Sequence, residues 1–390
     1  MTDVVTAVPH ASRAAASGPE TVEEPVAYDG ILLASFGGPE GQDDVIPFLR
    51  NVTRGRGIPD ERLEEVAHHY RHFGGISPIN GQNRALKAAL EAELAARGVD
   101  LPVYWGNRNW GPYLADALTE AAGAGHRTLL AVATSAYSSY SSCRQYREDF
   151  ARELEATGLT GVLAIDKVRQ YFDHPGFVAP FTAGVEAGLA DLERRLPGID
   201  LATEARVLFC THSIPTADAE RSGPASRGFG EGGAYAAQYR AVAEVVMARA
   251  GREVPWALVF QSRSGPPSQP WLEPDVNDAL RDLAAEGVRA VLLVPLGFVS
   301  DHMEVRWDLD TEAMETAEEL GMLALRTPTP GIDRAYVSGL VDLVLERVRG
   351  TRRAERPAET PIGPWYDVCR PGCCENARLG FRPAAAGLAP

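Results

Sequence analysis

Three observations predict an α/β fold of two similar domains, each a four-stranded parallel sheet flanked by helices. About eight short apolar runs recur between residues 28 and 350, and nearly all are separated by helical segments. That alternation is what parallel doubly wound sheets require. The runs are continuously apolar, as in Val207-Leu208-Phe209 and Val291–Pro295, so the strands are covered on both faces. Eight strands over roughly 320 residues divide into two cores rather than one.

The elements follow in order. Residues 1–27 are rich in Ala, Ser, Thr, Pro and Glu without periodicity, and a disordered tail is expected there. Order is expected from Tyr28, with an N-terminal domain over 28–172 and a C-terminal domain over 173–350 whose last helix can pack back on the first. A first strand, GILLASF (30–36), runs into Gly37-Gly38-Pro39-Glu40-Gly41. This turn lacks the glycine spacing of a phosphate loop, and its acids, with Asp43 and Asp44, suit a helix N-terminus instead. Helices are predicted over 45–52, 60–72 and about 81–97, the last entered through the irregular Gly74–Pro78. Strands follow at 102–108, 128–135, 161–168, 205–211, 256–262, 289–295 and 322–326. The intervening helices lie near 113–124, up to 156, and at 174–196, 234–251, 275–286 and 332–349. Residues 351–390 form a Pro-, Arg- and Ala-rich tail that carries CRPGCC.

Composition narrows the function. The 390 residues carry a net charge of −15, which argues against nucleic acid as a partner. No apolar run reaches the roughly 18 residues of a membrane span, and no export signal is evident, so a cytoplasmic protein is expected. Five cysteines, an odd number, argue against a disulfide framework.

Two strand ends carry the chemistry. VLFCTHSIP (207–215) delivers His212 just past the carboxyl end of a buried strand, where open α/β sheets place their ligands. The strand at 291–295 runs through Gly297 to Ser300-Asp301-His302 and then an acidic helix. Glu304, Asp308 and Glu312 are spaced i, i+4, i+8 and share one helical face. A lone histidine is ordinarily a packed one, and a charge run is ordinarily a solvated stripe. Two histidines and a row of carboxylates at two strand ends instead suit a cation and proton transfer. His68, His69 and His72 lie on adjacent turns of one helix, a pattern open to metal binding but commoner as a helix surface. Arg54 and Arg56 match carboxylate geometry but standing alone are surface arginines.

Cys369, Cys373 and Cys374 crowd one irregular segment. A disulfide between the neighbours Cys373 and Cys374 would be strained. A soft metal or an iron–sulfur cluster suits them better, with zinc and free thiols as alternatives. The fourth ligand is then Cys143 or Cys210; Cys210 falls in a buried strand, and Cys143, at a loop-to-helix start, is the better candidate.

LLASFGGPE (32–40), FGGISPINGQ (73–82), ATSAYSSYSSCRQYRED (133–149), FCTHSIP (209–215), FQSRSGPPSQPWLEPD (260–275) and VPLGFVSDHMEVRWDLD (294–310) together resemble the ferrochelatases, most closely the actinobacterial type that uses coproporphyrin III. The resemblance spans about 28–350 and extends into the tail. It implies two Rossmann-like, chelatase-like domains with a porphyrin cleft between them. It implies insertion of Fe2+ into coproporphyrin III to give coprohaem in haem biosynthesis, release of two protons, and encounters with downstream haem-pathway enzymes. His212 matches the metal-site histidine and Glu304 its acidic partner across the macrocycle; we assign His212 as proton acceptor and Glu304 as iron ligand. Ser77 and Tyr146 match porphyrin contacts. Phe36 stands where some coproporphyrin enzymes use a tyrosine to ligate product iron, which phenylalanine cannot do. Cys143, Cys369, Cys373 and Cys374 match [2Fe-2S] ligands. The chemistry fits independently: a neutral imidazole can take a shielded pyrrole proton, and Asp308 beside Glu304 can pass cations in or protons out. Arg54 and Arg56 suit the four propionates of coproporphyrin. Protoporphyrin IX as substrate, a cobalt or nickel chelatase, and a cluster-bearing metal chaperone or sensor are the rival readings.

Overall fold

The structure, a computed structural model, describes residues 20–55, 57–265, 268–370, 372–376 and 382–387. The chain runs β1 (Gly30–Ser35), α1 (Val45–Val52), α2 (Asp60–His72), α3 (Ile79–Ala96), β2 (Val103–Asn107), α4 (Leu114–Gly123), β3 (Thr128–Ala133), α5 (Gln145–Ala156) and β4 (Ala164–Lys167). The second half continues with α6 (Pro175–Arg195), α7 (Leu201–Glu204), β5 (Ala205–His212), α8 (Thr216–Glu220), α9 (Gly233–Ala250), β6 (Trp256–Gln261) and α10 (Val276–Ala285). It ends with β7 (Ala290–Val294), α11 (Met314–Glu319), β8 (Leu323–Arg326) and α12 (Arg334–Arg349). Two four-stranded sheets result, ordered β2-β1-β3-β4 and β6-β5-β7-β8, with every pairing parallel. The predicted fold class is the observed one.

The strands form because their side chains have apolar company on both faces. Leu208 and Phe209 in β5, and all five residues of β7, are fully buried. Alternate β5 residues feed different cores: Val207 and Phe209 face one, Leu208 and Cys210 the other. Cys210 is therefore a packed core residue, as its strand position suggested.

The strand order sets the site. Each sheet reverses winding direction between its first and third strands, β1 and β3, then β5 and β7. The crevices beyond those carboxyl ends are the places where such sheets bind ligands. Phe36 follows β1, and Cys143 and Tyr146 follow β3; His212 ends β5, and Glu304 follows β7.

Three segments depart from expectation. Val305–Ala313 is a π-helix rather than an α-helix, and a second π turn spans Tyr140–Arg144. The expected disordered tail is too long: Val22 is fully buried, its N–H donates to Asp367, and its carbonyl accepts from Arg356. A polar segment gains order there because the far end of the chain supplies its partners; residues 1–19 lie outside the described residues. Helix α12 joins both halves. Arg347 pairs with Asp166 at 2.8 Å, Glu346 with Arg169 at 2.9 Å, and Asp342 with Arg97.

Candidate active site

Gly297 lets the two strand ends of the second sheet converge. Its N–H donates to Cys210 O at 3.1 Å, and a Cβ there would collide with Thr211. The segment after β7 thus crosses directly over the end of β5. Glu304 Oε1 comes to 3.5 Å from His212 Nε2, and Glu304 Oε2 to 3.7 Å from His302 Nδ1. The His212 ring is oriented by Nδ1, which meets the Ser213 carbonyl, and its own carbonyl accepts from Tyr235 Oη at 2.7 Å.

This contact corrects one expectation. A flat ring between two groups needs van der Waals contact on both faces, a gap of roughly 7 Å. His212 and Glu304 touch, so no slot of that width lies between them.

The electrostatics follow from the pairing. His212 is 33% exposed and Glu304 46%, so the cleft opens to solvent on one side while protein surrounds the rest. Burial opposes charge on His212, but the charge and hydrogen bond of Glu304 outweigh it and raise the imidazole pKa to about 9. Burial likewise opposes charge on Glu304, and His212 outweighs it, lowering the carboxyl to about 2. Both shifts favour an imidazolium facing a carboxylate at neutral pH. His302 shifts downward because burial dominates.

Asp308 lies in the same crevice. Gln261 Nε2 donates to its Oδ2 at 3.2 Å and to the Glu304 carbonyl at 3.0 Å, and Ser262 Oγ donates to the same carboxylate oxygen. Burial, together with the nearby charge of Glu304, outweighs the Ser262 bond and raises Asp308 to about 7. Glu312 does not join the row: it is exposed and accepts from Trp307 Nε1 at 2.8 Å. Its charge still reaches Asp308 and raises that carboxyl's pKa.

The first half of the chain closes on this segment. Trp307 stacks on His69 with centroids 4.1 Å apart, and His68, His72 and Phe73 present ring edges to it. The histidines of α2 are thus aromatic packing partners. Burial, then the charges of Glu304 and Asp308, push the Tyr70 phenol pKa up. The Asp301 N–H donates to Gln82 Oε1 at 2.9 Å.

The other predicted residues lie on the first half. Phe36 is 38% exposed at the end of β1. Tyr146 is buried beneath the Arg108 guanidinium, 4.7 Å from its ring centre. Ser77 is buried against Gly38, where a Cβ would clash with it. Arg54 is exposed and donates to Asn51 at 2.6 Å, and Arg56 lies outside the described residues. Arg108 was missed. It lies just past the carboxyl end of β2, between Phe36 and Tyr146, and pairs with Asp149 at 2.6 Å. The strand-end rule that singled out His212 applies to it equally. Gln261 and Ser262 occupy the corresponding end of β6.

Cys143, Cys369, Cys373 and Cys374 form one buried group. Cys369 hydrogen-bonds Cys143 and Cys373, and the sulfurs of Cys373 and Cys374 are 3.8 Å apart. Among the described residues no three His, Cys, Asp or Glu side chains are arranged to hold a single metal ion. A cluster that spreads four thiolates over two irons needs no such convergence.

An α/β chain of two parallel sheets, with a histidine–carboxylate pair and a second carboxylate at the strand ends of one of them, has the groups to handle a cation and protons together. The ferrochelatase family model matches residues 28–348. A coproporphyrin III ferrochelatase of Leifsonia xyli subsp. xyli is 70% identical over 97% of this chain and 99% of its own length. One of Tropheryma whipplei is 58% identical, covering 93% of each. The chain belongs to the ferrochelatase family. Among solved structures, SirB from Bacillus subtilis with Fe3+ covers 85% of this chain and 100% of its own at 10% identity and TM-score 0.48, a likeness too distant to bear on function. No helix among the described residues is long and apolar enough to cross a membrane.

Proposed function

We propose that the protein inserts Fe2+ into coproporphyrin III, releasing two protons and giving coprohaem for haem biosynthesis, and that it works in the cytoplasm and passes its product to a later enzyme of that pathway. The observation that carries the reaction is the 3.5 Å contact of His212 with Glu304. The substrate follows the names of relatives as similar as 70% identical.

His212 starts as an imidazolium because Glu304 faces it. Fe2+ arriving at Glu304 takes over that compensation, and His212 gives up its proton. The free imidazole then has a lone pair for a pyrrole proton. Asp308, with a pKa of about 7, exchanges protons readily at neutral pH and sits one step from Glu304. It is the station through which Fe2+ enters or protons leave. Ser77, Tyr146 and Phe36 contact the macrocycle, and Arg54 meets a propionate at the rim.

Cys143, Cys369, Cys373 and Cys374 would hold a [2Fe-2S] cluster. Their fit to an anionic group rests on Arg147, which is buried beside them with Nη1 lacking any partner among the described residues. When bound, such a cluster supplies one-electron chemistry and a crosslink between the tail and the first half of the chain.

Anaerobic metallation with Fe2+ and either coproporphyrin III or protoporphyrin IX tests the reading. Coproporphyrin should be turned over with the higher kcat/KM; equal or reversed preference would reject the substrate assignment.

A further inference from the structure

We propose that Arg147 is the built-in counter-charge of the four-cysteine centre, retaining the anionic group there and raising its reduction potential. The inference rests on the cluster reading above.

Arg147 lies four residues after Cys143, in the first turn of α5, and is 2% exposed. Ala385 and Gly387 lie against it. Its Nε donates to Ala385 O at 2.9 Å, and its own carbonyl accepts from Ala385 N at 2.9 Å. Gly387 pairs with Cys369, and a side chain at Gly387 would occupy the space taken by the Arg147 guanidinium. Glycine at 387 therefore lets a cation lie against the segment that carries Cys369. After these contacts Nη1 still has no partner among the described residues.

A buried guanidinium with an unused N–H is costly beside neutral groups. Four protonated thiols would be neutral and weak acceptors, so they leave Arg147 unexplained. Four thiolates holding a metal cluster are anionic and accept hydrogen bonds. Burial opposes the charge on Arg147, and the four cysteines, Cys369 foremost, sustain it.

The other nearby cation is arranged differently. Lys167 is buried, but its ammonium donates to Val168 O at 2.8 Å and to Gln170 Oε1 at 2.5 Å. Its charge reaches Cys143 and Cys369 while these two protons are committed elsewhere. The Gly223 N–H points at Cys374 Sγ at 3.1 Å, so one sulfur already receives a backbone donor. Net charge and hydrogen bonds to sulfur are the levers that set iron–sulfur potentials. One-electron reduction adds negative charge to the centre, and Arg147 stabilises that added charge more than the charge already present. Its loss must then lower the potential.

The experiment uses the full chain purified anaerobically as wild type, Arg147→Met, Arg147→Lys and Lys167→Met. Iron and acid-labile sulfide are counted, and the midpoint potential is read by dithionite titration with visible and EPR detection. Arg147→Met should shift the reduction equilibrium at least tenfold against reduction, about 59 mV for a one-electron couple, or lose the cluster. Arg147→Lys should keep the cluster within tenfold of wild type, and Lys167→Met should move it less than Arg147→Met. If Arg147→Met does not fold, Arg147→Gln, which keeps a donor for Ala385 but no charge, replaces it with the same expectation. A wild-type protein without iron and sulfide would instead overturn the cluster reading itself. A wild-type cluster whose occupancy and potential survive loss of the charge, a larger effect from Lys167, or cluster loss in Arg147→Lys would each overturn the role of Arg147.

Discussion

Ser262 donates its hydroxyl to the carboxylate of Asp308 from a backbone held at φ 60°. A residue other than glycine rarely adopts that conformation, and its persistence means that surrounding contacts compensate the strain. The strained residue follows β6 directly and meets the one carboxylate of the crevice whose pKa is near neutral. Gln261, one position earlier, holds the same carboxylate and the backbone of Glu304.

Ser262→Gly separates fold from function. Glycine tolerates this φ at little cost, so thermal stability should hold or rise by about 1 kcal/mol. The Ser262 bond lowers the Asp308 pKa, so removing it should raise that pKa further. The acid limb of the metallation pH profile should move to higher pH, and turnover at pH 7 should fall on the order of tenfold. A Tm scan and a pH–rate profile of the variant check both. Lower stability with an unmoved profile would make Ser262 a structural residue only.

Much of this was legible in the chain. Continuous apolar runs such as Val207-Leu208-Phe209 gave the strands because burial on both faces leaves no room for polar alternation. The placement of His212 at the end of β5 and of Glu304 after β7 was legible because apolar runs mark where the strands stop. Their contact was not legible, since it depends on Gly297 lying against Thr211, a close approach that no spacing encodes. The π-helix at 305–313 was hidden for a related reason: carboxylates four apart suit either winding, and only the departure of Glu312 toward Trp307 tells them apart. Residues 20–27 owe their order to Arg356 and Asp367, partners more than 300 positions away in sequence, so local composition misled.

Asp308→Asn should stabilise the protein at alkaline pH while impairing catalysis. The folded pKa of about 7 lies above the ordinary 3.8, so the folded state binds a proton the unfolded state lacks between those values. Stability then falls as pH rises through that interval. Asparagine removes the penalty. Its Tm should exceed wild type by about 2 °C or more at pH 8, with the gap closing toward pH 4, and iron insertion should drop. Calorimetry at several pH values checks this; a gap that is constant with pH would mean that Asp308 does not titrate in this range.

Phe36→Tyr should turn a released product into a retained one. Phe36 is partly exposed at the end of β1, on the opposite half of the chain from His212 and Glu304. A phenol there can ligate iron where a phenyl ring cannot. The expected signature is a new charge-transfer band on mixing the variant with coprohaem, with kcat lowered on the order of tenfold by slow release. An unchanged product spectrum would place Phe36 away from the metal.

The His212–Glu304 pair makes opposite demands on folding and on the reaction, and pH exposes both. His212 has a folded pKa of about 9 against an ordinary 6.5, so its contribution to stability is complete below pH 6.5 and is lost as pH rises toward 9. Glu304 has a folded pKa of about 2 against 4.5, so its contribution is complete above pH 4.5 and is lost as pH falls toward 2. The Tm lost on Glu304→Gln should therefore be greatest between pH 4.5 and 6.5 and shrink on either side. The proposed reaction needs the reverse state, a neutral imidazole, which Fe2+ binding at Glu304 would produce. Anaerobic addition of Fe2+ to the protein alone, in dilute buffer at pH 7.5, should release protons. His212→Ala should abolish that release and lower metallation at least a hundredfold while coproporphyrin binding, read by its own fluorescence, persists. Proton release equal to wild type in His212→Ala would assign the displaced proton to another group, with Asp308 the next to test.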